Sequence, residues 1–137
     1  MRARPSRRSG AQSAGGARDH LPRILIVDDD VKAADALASL LQSRGYGEAR
    51  VAYSGATALA LAVEFVPTVA LVDLELPDMS GYEVARQLSQ HPQLQTLKLI
   101  ALTDDSGHPG RELAREAGVE RYLIKPVASA DLAELFT

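Results

Sequence analysis

Cysteine is absent from the 137 residues. No disulfide framework and no cysteine-ligated metal site can therefore form, which fits a reducing compartment. No apolar run approaches the roughly 18 residues that a membrane span needs. The N-terminus carries no apolar core of the kind a secretory signal has. No internal repeat occurs, and no long linker interrupts the chain after Arg23. These absences lead to the expectation of a cytoplasmic protein without a membrane span.

What is present is ordinary for a globular domain: 46% hydrophobic and 24% charged residues. The length suits one domain with a sizeable core. The net charge of −3 hides an asymmetry. Residues 1–20 hold Arg2, Arg4, Arg7, Arg8 and Arg18 but a single acid, Asp19. The other 117 residues keep 10 of the 15 basic and 17 of the 18 acidic side chains. A basic tail thus precedes an acidic domain. The tail is rich in Ser, Gly and Ala and poor in large apolar residues, so residues 1–20 are expected to be disordered. Its arginines could attract anionic surfaces weakly. Residues 21–137 form the folded unit, whose acidic excess argues against direct nucleic-acid binding.

From Arg23 onward, apolar runs alternate with helical patterns. Strands are predicted at 23–27, 49–53, 69–73, 97–103 and 121–125. The helix over 31–45 places Val31, Ala34, Leu37 and Leu41 on one face, with Gly45 as its stop. Ser54 caps the next helix, which Pro67 ends. Ser80 and Glu83 have the spacing of a capping box. A fourth helix has Pro109 near its first turn and Gly118 past its end. Ser129 is predicted to cap the last. Five β-α units with strands apolar throughout indicate an α/β fold, a doubly wound five-stranded parallel sheet with helices on both faces.

In such sheets, ligands gather beyond the carboxyl ends of the strands. Asp28, Asp29 and Asp30 follow the first strand, Asp73 ends the third, Thr103 the fourth, and Lys125 with Pro126 the fifth. A dinucleotide site would need Gly-x-Gly-x-x-Gly after the first strand, and that motif is missing. Adjacent carboxylates repel by about 1 kcal/mol in water and more near a protein interior. Oxygen-only ligands of this kind suit a hard divalent cation, Mg2+ above all, which offsets the repulsion. Asp30, directly before a helix, reads as an N-cap.

These residues, in this order, resemble the receiver domain of two-component response regulators over about residues 23–136. The resemblance rests on Asp28-Asp29, on Asp73 in "LVDLELPDMSG", on Thr103 in "ALT", and on "YLIKP" with Tyr122, Lys125 and Pro126. It implies the flavodoxin-like strand order 2-1-3-4-5. It also implies that Asp73 accepts a phosphoryl group from the phosphohistidine of a sensor histidine kinase or a histidine phosphotransfer protein. Asp29, Asp73 and the Glu75 carbonyl would ligate Mg2+, with Asp28 acting through metal-bound water. Lys125 would pair with Asp73 and then with the phosphoryl oxygens. Thr103 would hydrogen-bond the new phosphoryl group and Tyr122 would follow it inward. The Lys125–Pro126 bond would be cis. Such a domain catalyses its own phosphorylation and dephosphorylation without a multiple-turnover substrate. Its switched surface engages an output partner or forms a homodimer.

One departure stands out. The family usually carries a small residue after the Thr, and this chain has Asp104, which opposes phosphate access. A receiver-like interaction module that works without phosphorylation is therefore an alternative. A haloacid-dehalogenase-like phosphohydrolase would also use an Asp, a Thr and a Lys, but that family usually has Asp where Glu75 stands.

Overall fold

The computed structural model describes residues 21–104 and 111–136. The basic segment 1–20 and the predicted first-turn Pro109 lie outside the described residues.

The elements follow the predicted alternation. They are β1 (Arg23–Val27), α1 (Val31–Ser43), β2 (Glu48–Ala52), α2 (Gly55–Phe65), β3 (Val69–Asp73) and α3 (Gly81–Gln90). A short 3-10 turn, Pro92–Leu94, leads to β4 (Lys98–Thr103), α4 (Arg111–Glu116), β5 (Val119–Ile124) and α5 (Ser129–Phe136). The five strands are parallel and ordered β2-β1-β3-β4-β5, as the resemblance implied.

Strand alternation splits the core into two layers. Ile24, Ile26, Val69, Leu71, Ile100 and Leu102 face α1 and α5, where Ala34, Ala38, Leu41 and Leu132 meet them. Leu25, Val27, Ala70, Val72, Leu99 and Ala101 face α2, α3 and α4. Small residues dominate that second contact: Ala58, Ala62, Ala85 and Ala114 let the helices approach the sheet closely.

Local chemistry explains most boundaries. The Asp30 carboxylate accepts the Ala33 N–H and starts α1. Past its end, Gly45 takes φ +73, the left-handed conformation that glycine tolerates. Ser54 accepts the Thr57 N–H and starts α2. At the other end of α2, the Arg23 guanidinium donates to the Val66 and Phe65 carbonyls.

Several expectations are corrected. Val31 is 49% exposed, because it sits in the first turn of α1 beyond the strand ends; Ala34, Ala38 and Leu41 carry the buried face. The Ser80 hydroxyl accepts the Tyr82 N–H, but Glu83 turns forward to Arg86 and Gln87 instead of back to the cap. β2 lies one residue earlier than expected, leaving Tyr53 outside it. β5 begins at Val119, two residues early, because Val119 pairs with Leu99 before a register shift skips Glu120. Ser129 is the first residue of α5, and the Ala128 carbonyl accepts the Asp131 and Leu132 N–H groups.

Candidate active site

β1 and β3 are neighbours, and Val27 lies opposite Val72. The next position on each strand is an aspartate, so Asp28 and Asp73 stand side by side at the carboxyl edge. Both are buried, whereas Asp29 is exposed. One carboxylate oxygen from each of Asp28, Asp29 and Asp73 lies within 4.8 Å of the others. Three oxygen donors at that spacing, with no nitrogen or sulfur among them, match the ligand chemistry of Mg2+.

Lys125 follows the end of β5 and reaches across β4 to the acids. Its Nζ donates to Asp28 Oδ2 and to Asp73 Oδ2, each at 3.1 Å. Its backbone N–H donates to the Thr103 carbonyl at 2.8 Å, which ties the β5 end to β4. The Lys125–Pro126 peptide is cis. The remaining oxygens are held by local turns: Asp28 Oδ1 accepts the Asp30 N–H at 3.0 Å, and Asp73 Oδ1 accepts the Glu75 N–H at 2.9 Å.

One ammonium thus serves two carboxylates. Burial pushes the Asp73 carboxyl up from 3.8 to about 6. The Glu75 N–H and Lys125 pull it down, and the Asp28 charge adds to the rise. Lys125 feels burial in the opposite sense, but its hydrogen bonds to both acids outweigh that and raise it to about 12. The site therefore holds a firmly charged cation and an under-neutralised carboxylate, a state that a divalent cation relieves.

Thr103 is buried at the end of β4, on the face shared by Leu99 and Ala101. Tyr122 packs half-buried on that same face, opposite Ala101 and diagonal to Thr103. Glu75 is exposed on the loop after β3. Asp104 is exposed as well. It lines a cavity of about 460 Å3 together with Asp28, Lys125, Pro126 and the apolar Leu37 and Leu40 of α1.

Two contacts had no local sequence signal. Asp78 accepts the Gly55 and Ala56 N–H groups at 2.9 and 3.1 Å, from 23 and 22 residues away. Gly81 packs onto the end of β3 so closely that a Cβ there would meet the Asp73 carbonyl oxygen at 2.3 Å.

The profile of the response regulator receiver domain matches residues 24–137. The chain belongs to the response regulator receiver family. As a receiver it is 33% identical over 105 residues to the polar-differentiation response regulator DivK of Brucella ovis, covering 77% of this chain and 85% of DivK. It is equally 33% identical to the response regulator PleD of Caulobacter vibrioides, again over 77% of this chain but only 23% of PleD. Among solved structures, it resembles the receiver domain of a Pseudomonas aeruginosa sensor histidine kinase at TM-score 0.75 and 28% identity, covering 85% of this chain and 94% of that one. That receiver has a magnesium ion coordinated in its active site cleft. Receiver membership sets aside the dehalogenase-like reading. No helix among the described residues is long and apolar enough to cross a membrane.

Proposed function

We propose that residues 21–137 act as the receiver of a two-component phosphorelay, taking a phosphoryl group onto Asp73. The observation that carries this reading is Lys125 Nζ, 3.1 Å from both Asp28 and Asp73, beside three carboxylates within 4.8 Å of one another. The donor is a phosphohistidine on a sensor histidine kinase or a histidine phosphotransfer protein. The setting is cytoplasmic.

Asp73 attacks phosphorus through a carboxylate oxygen; the new O–P bond forms as the N–P bond to histidine breaks, and the imidazole keeps the bonding pair. Phosphoryl transfer asks mainly for positioning and for positive charge over the equatorial oxygens. Lys125 supplies one charge from its place between the acids. Asp29, Asp73 and the Glu75 carbonyl, with Asp28 in support, would hold Mg2+, which would supply the rest of the positive charge. The Thr103 hydroxyl hydrogen-bonds the phosphoryl group, and Tyr122 on the same face follows it. The response spreads to a surface that binds an output partner or a second receiver.

A second reading, an interaction module independent of phosphate, draws on Asp104 beside Lys125 at the cavity. One experiment separates the two. Incubation with a small acyl phosphate and Mg2+, followed by intact-mass measurement, should add one phosphoryl group to the wild type and none to Asp73→Asn. Equal labelling of both proteins overturns the assignment. An unlabelled wild type favours the second reading.

A further inference from the structure

Asp78 belongs neither to the acid cluster nor to the partners of Lys125. It lies in the loop between β3 and α3, and its carboxylate reaches the start of α2. A helix start leaves four N–H groups without intrahelical partners. In α2, the Gly55 and Ala56 N–H groups donate to Asp78 Oδ1 and Oδ2, and the Thr57 N–H donates to Ser54 Oγ. The Ala58 N–H then opens the regular ladder to the Ser54 carbonyl. Ser54 is the cap that sequence supplies locally. Asp78 is a second cap brought from another element, and these two N–H bonds hold its carboxyl below the usual range.

The contact fixes the loop as much as the helix. Met79 lies directly over Gly55, where a Cβ would meet Met79 Cγ at 2.3 Å and Sδ at 2.6 Å. At the loop base, the Leu74 N–H donates to the Leu102 carbonyl and the Gly81 N–H donates to the Leu74 carbonyl. Between this base and the Asp78–Met79 anchor lie only Glu75, Leu76 and Pro77. Glu75 donates its N–H to Asp73 Oδ1, and in the receiver reading its carbonyl would be a cation ligand. The path from Asp78 to the acidic site is therefore short and held at both ends.

We infer that Asp78 is a positioning residue for the cation site: by pinning the β3–α3 loop to α2, it sets the placement of the Glu75 backbone and the orientation of Asp73. The inference rests on the receiver reading above. Loss of the anchor leaves the three acids in place but frees the Glu75 backbone, so cation affinity falls while the sheet stays intact.

The test compares Mg2+ affinity by calorimetric titration in four proteins of all 137 residues: wild type, Asp78→Ala, Asp78→Asn and Ser54→Ala. Amide exchange at Glu75 is measured in the same proteins without metal. Asp78→Ala should weaken Mg2+ by about tenfold, the low end of what losing an outer-shell partner costs a metal site, and should speed exchange at Glu75. Asp78→Asn should fall between, because its single amide oxygen can replace only part of the carboxylate. Ser54→Ala removes a cap from the same helix end without touching the loop, and should leave both readouts unchanged. Wild-type affinity in folded Asp78→Ala or Asp78→Asn overturns the inference, as does an equal loss in Ser54→Ala. A wild type that takes up no Mg2+ overturns the receiver reading itself, and this inference with it.

Discussion

Lys125 Nζ sits 3.1 Å from Asp73 Oδ2, although 52 residues separate them in the chain. β4 lies between their strands, and only a side chain as long as lysine spans it from the end of β5. The same ammonium is shared with Asp28 at the same distance. A half-buried charge divided between two acids neutralises neither fully.

That shortfall gives a pH dependence. The Asp73 carboxyl is raised from 3.8 to about 6, so between those values the folded state holds more protons than the unfolded state. Stability of the metal-free protein therefore falls as pH rises through that window, and this loss levels off above it. Asp73→Asn removes the effect. Its stability gain over wild type should grow from near pH 4 to near pH 6 and then stay flat, reaching on the order of 3 kcal/mol. Urea titrations of both proteins at several pH values, without Mg2+, measure it. A pH-independent difference would contradict the buried, under-neutralised carboxylate.

Mg2+ should raise the melting temperature of the wild type, because it binds the folded acid cluster and not the unfolded chain. At about 100 times its dissociation constant the gain is about 2.7 kcal/mol. Asp29→Ala should remove most of it, since Asp29 contributes one of the three clustered oxygens. Thermal melts with and without millimolar Mg2+ test this, and an insensitive wild type would count against the cation site.

Asp104 is exposed and lines the cavity beside Lys125. One unit charge roughly 6 Å from the incoming phosphoryl group costs about 0.7 kcal/mol in water. That amounts to about threefold in rate. Asp104→Ala should therefore speed labelling of Asp73 a few-fold, more at low salt than at high, because salt screens exposed repulsion. Labelling rates of both proteins at two ionic strengths under saturating Mg2+ decide it. An unchanged or slower mutant would show that Asp104 does not obstruct the site.

Two glycines should respond differently to alanine. At Gly81 the new Cβ would meet backbone, the Asp73 carbonyl oxygen at 2.3 Å and Leu74 Cα at 2.6 Å, and neither can turn away. Gly81→Ala should cost about 1–3 kcal/mol or more and displace Asp73, lowering labelling. At Gly45 nothing lies within 4 Å, and only the left-handed φ of +73 opposes a side chain. Gly45→Ala should cost about 1–2 kcal/mol and leave labelling intact. Urea midpoints and labelling rates of the two variants make the comparison.

Sequence alone determined the elements and their order, because those follow from short-range physics. The Asp30 and Ser54 caps bond N–H groups three residues on, Gly45 supplies a left-handed stop, and the apolar runs of β1, β3 and β4 bury on both faces. The placement of Asp28, Asp73, Thr103 and Lys125 at strand ends follows from the same patterns. Where local options compete, the reading slipped: Glu83 found Arg86 and Gln87 on its own helix, and Val119 joined β5 only because Leu99 stands opposite. The tertiary structure decided the rest. Strand order and register bring Lys125 between two acids, and loop packing sets Asp78 on the start of α2 and Gly81 against β3. Such contacts depend on which elements the core packs side by side, and no spacing along one element encodes that adjacency.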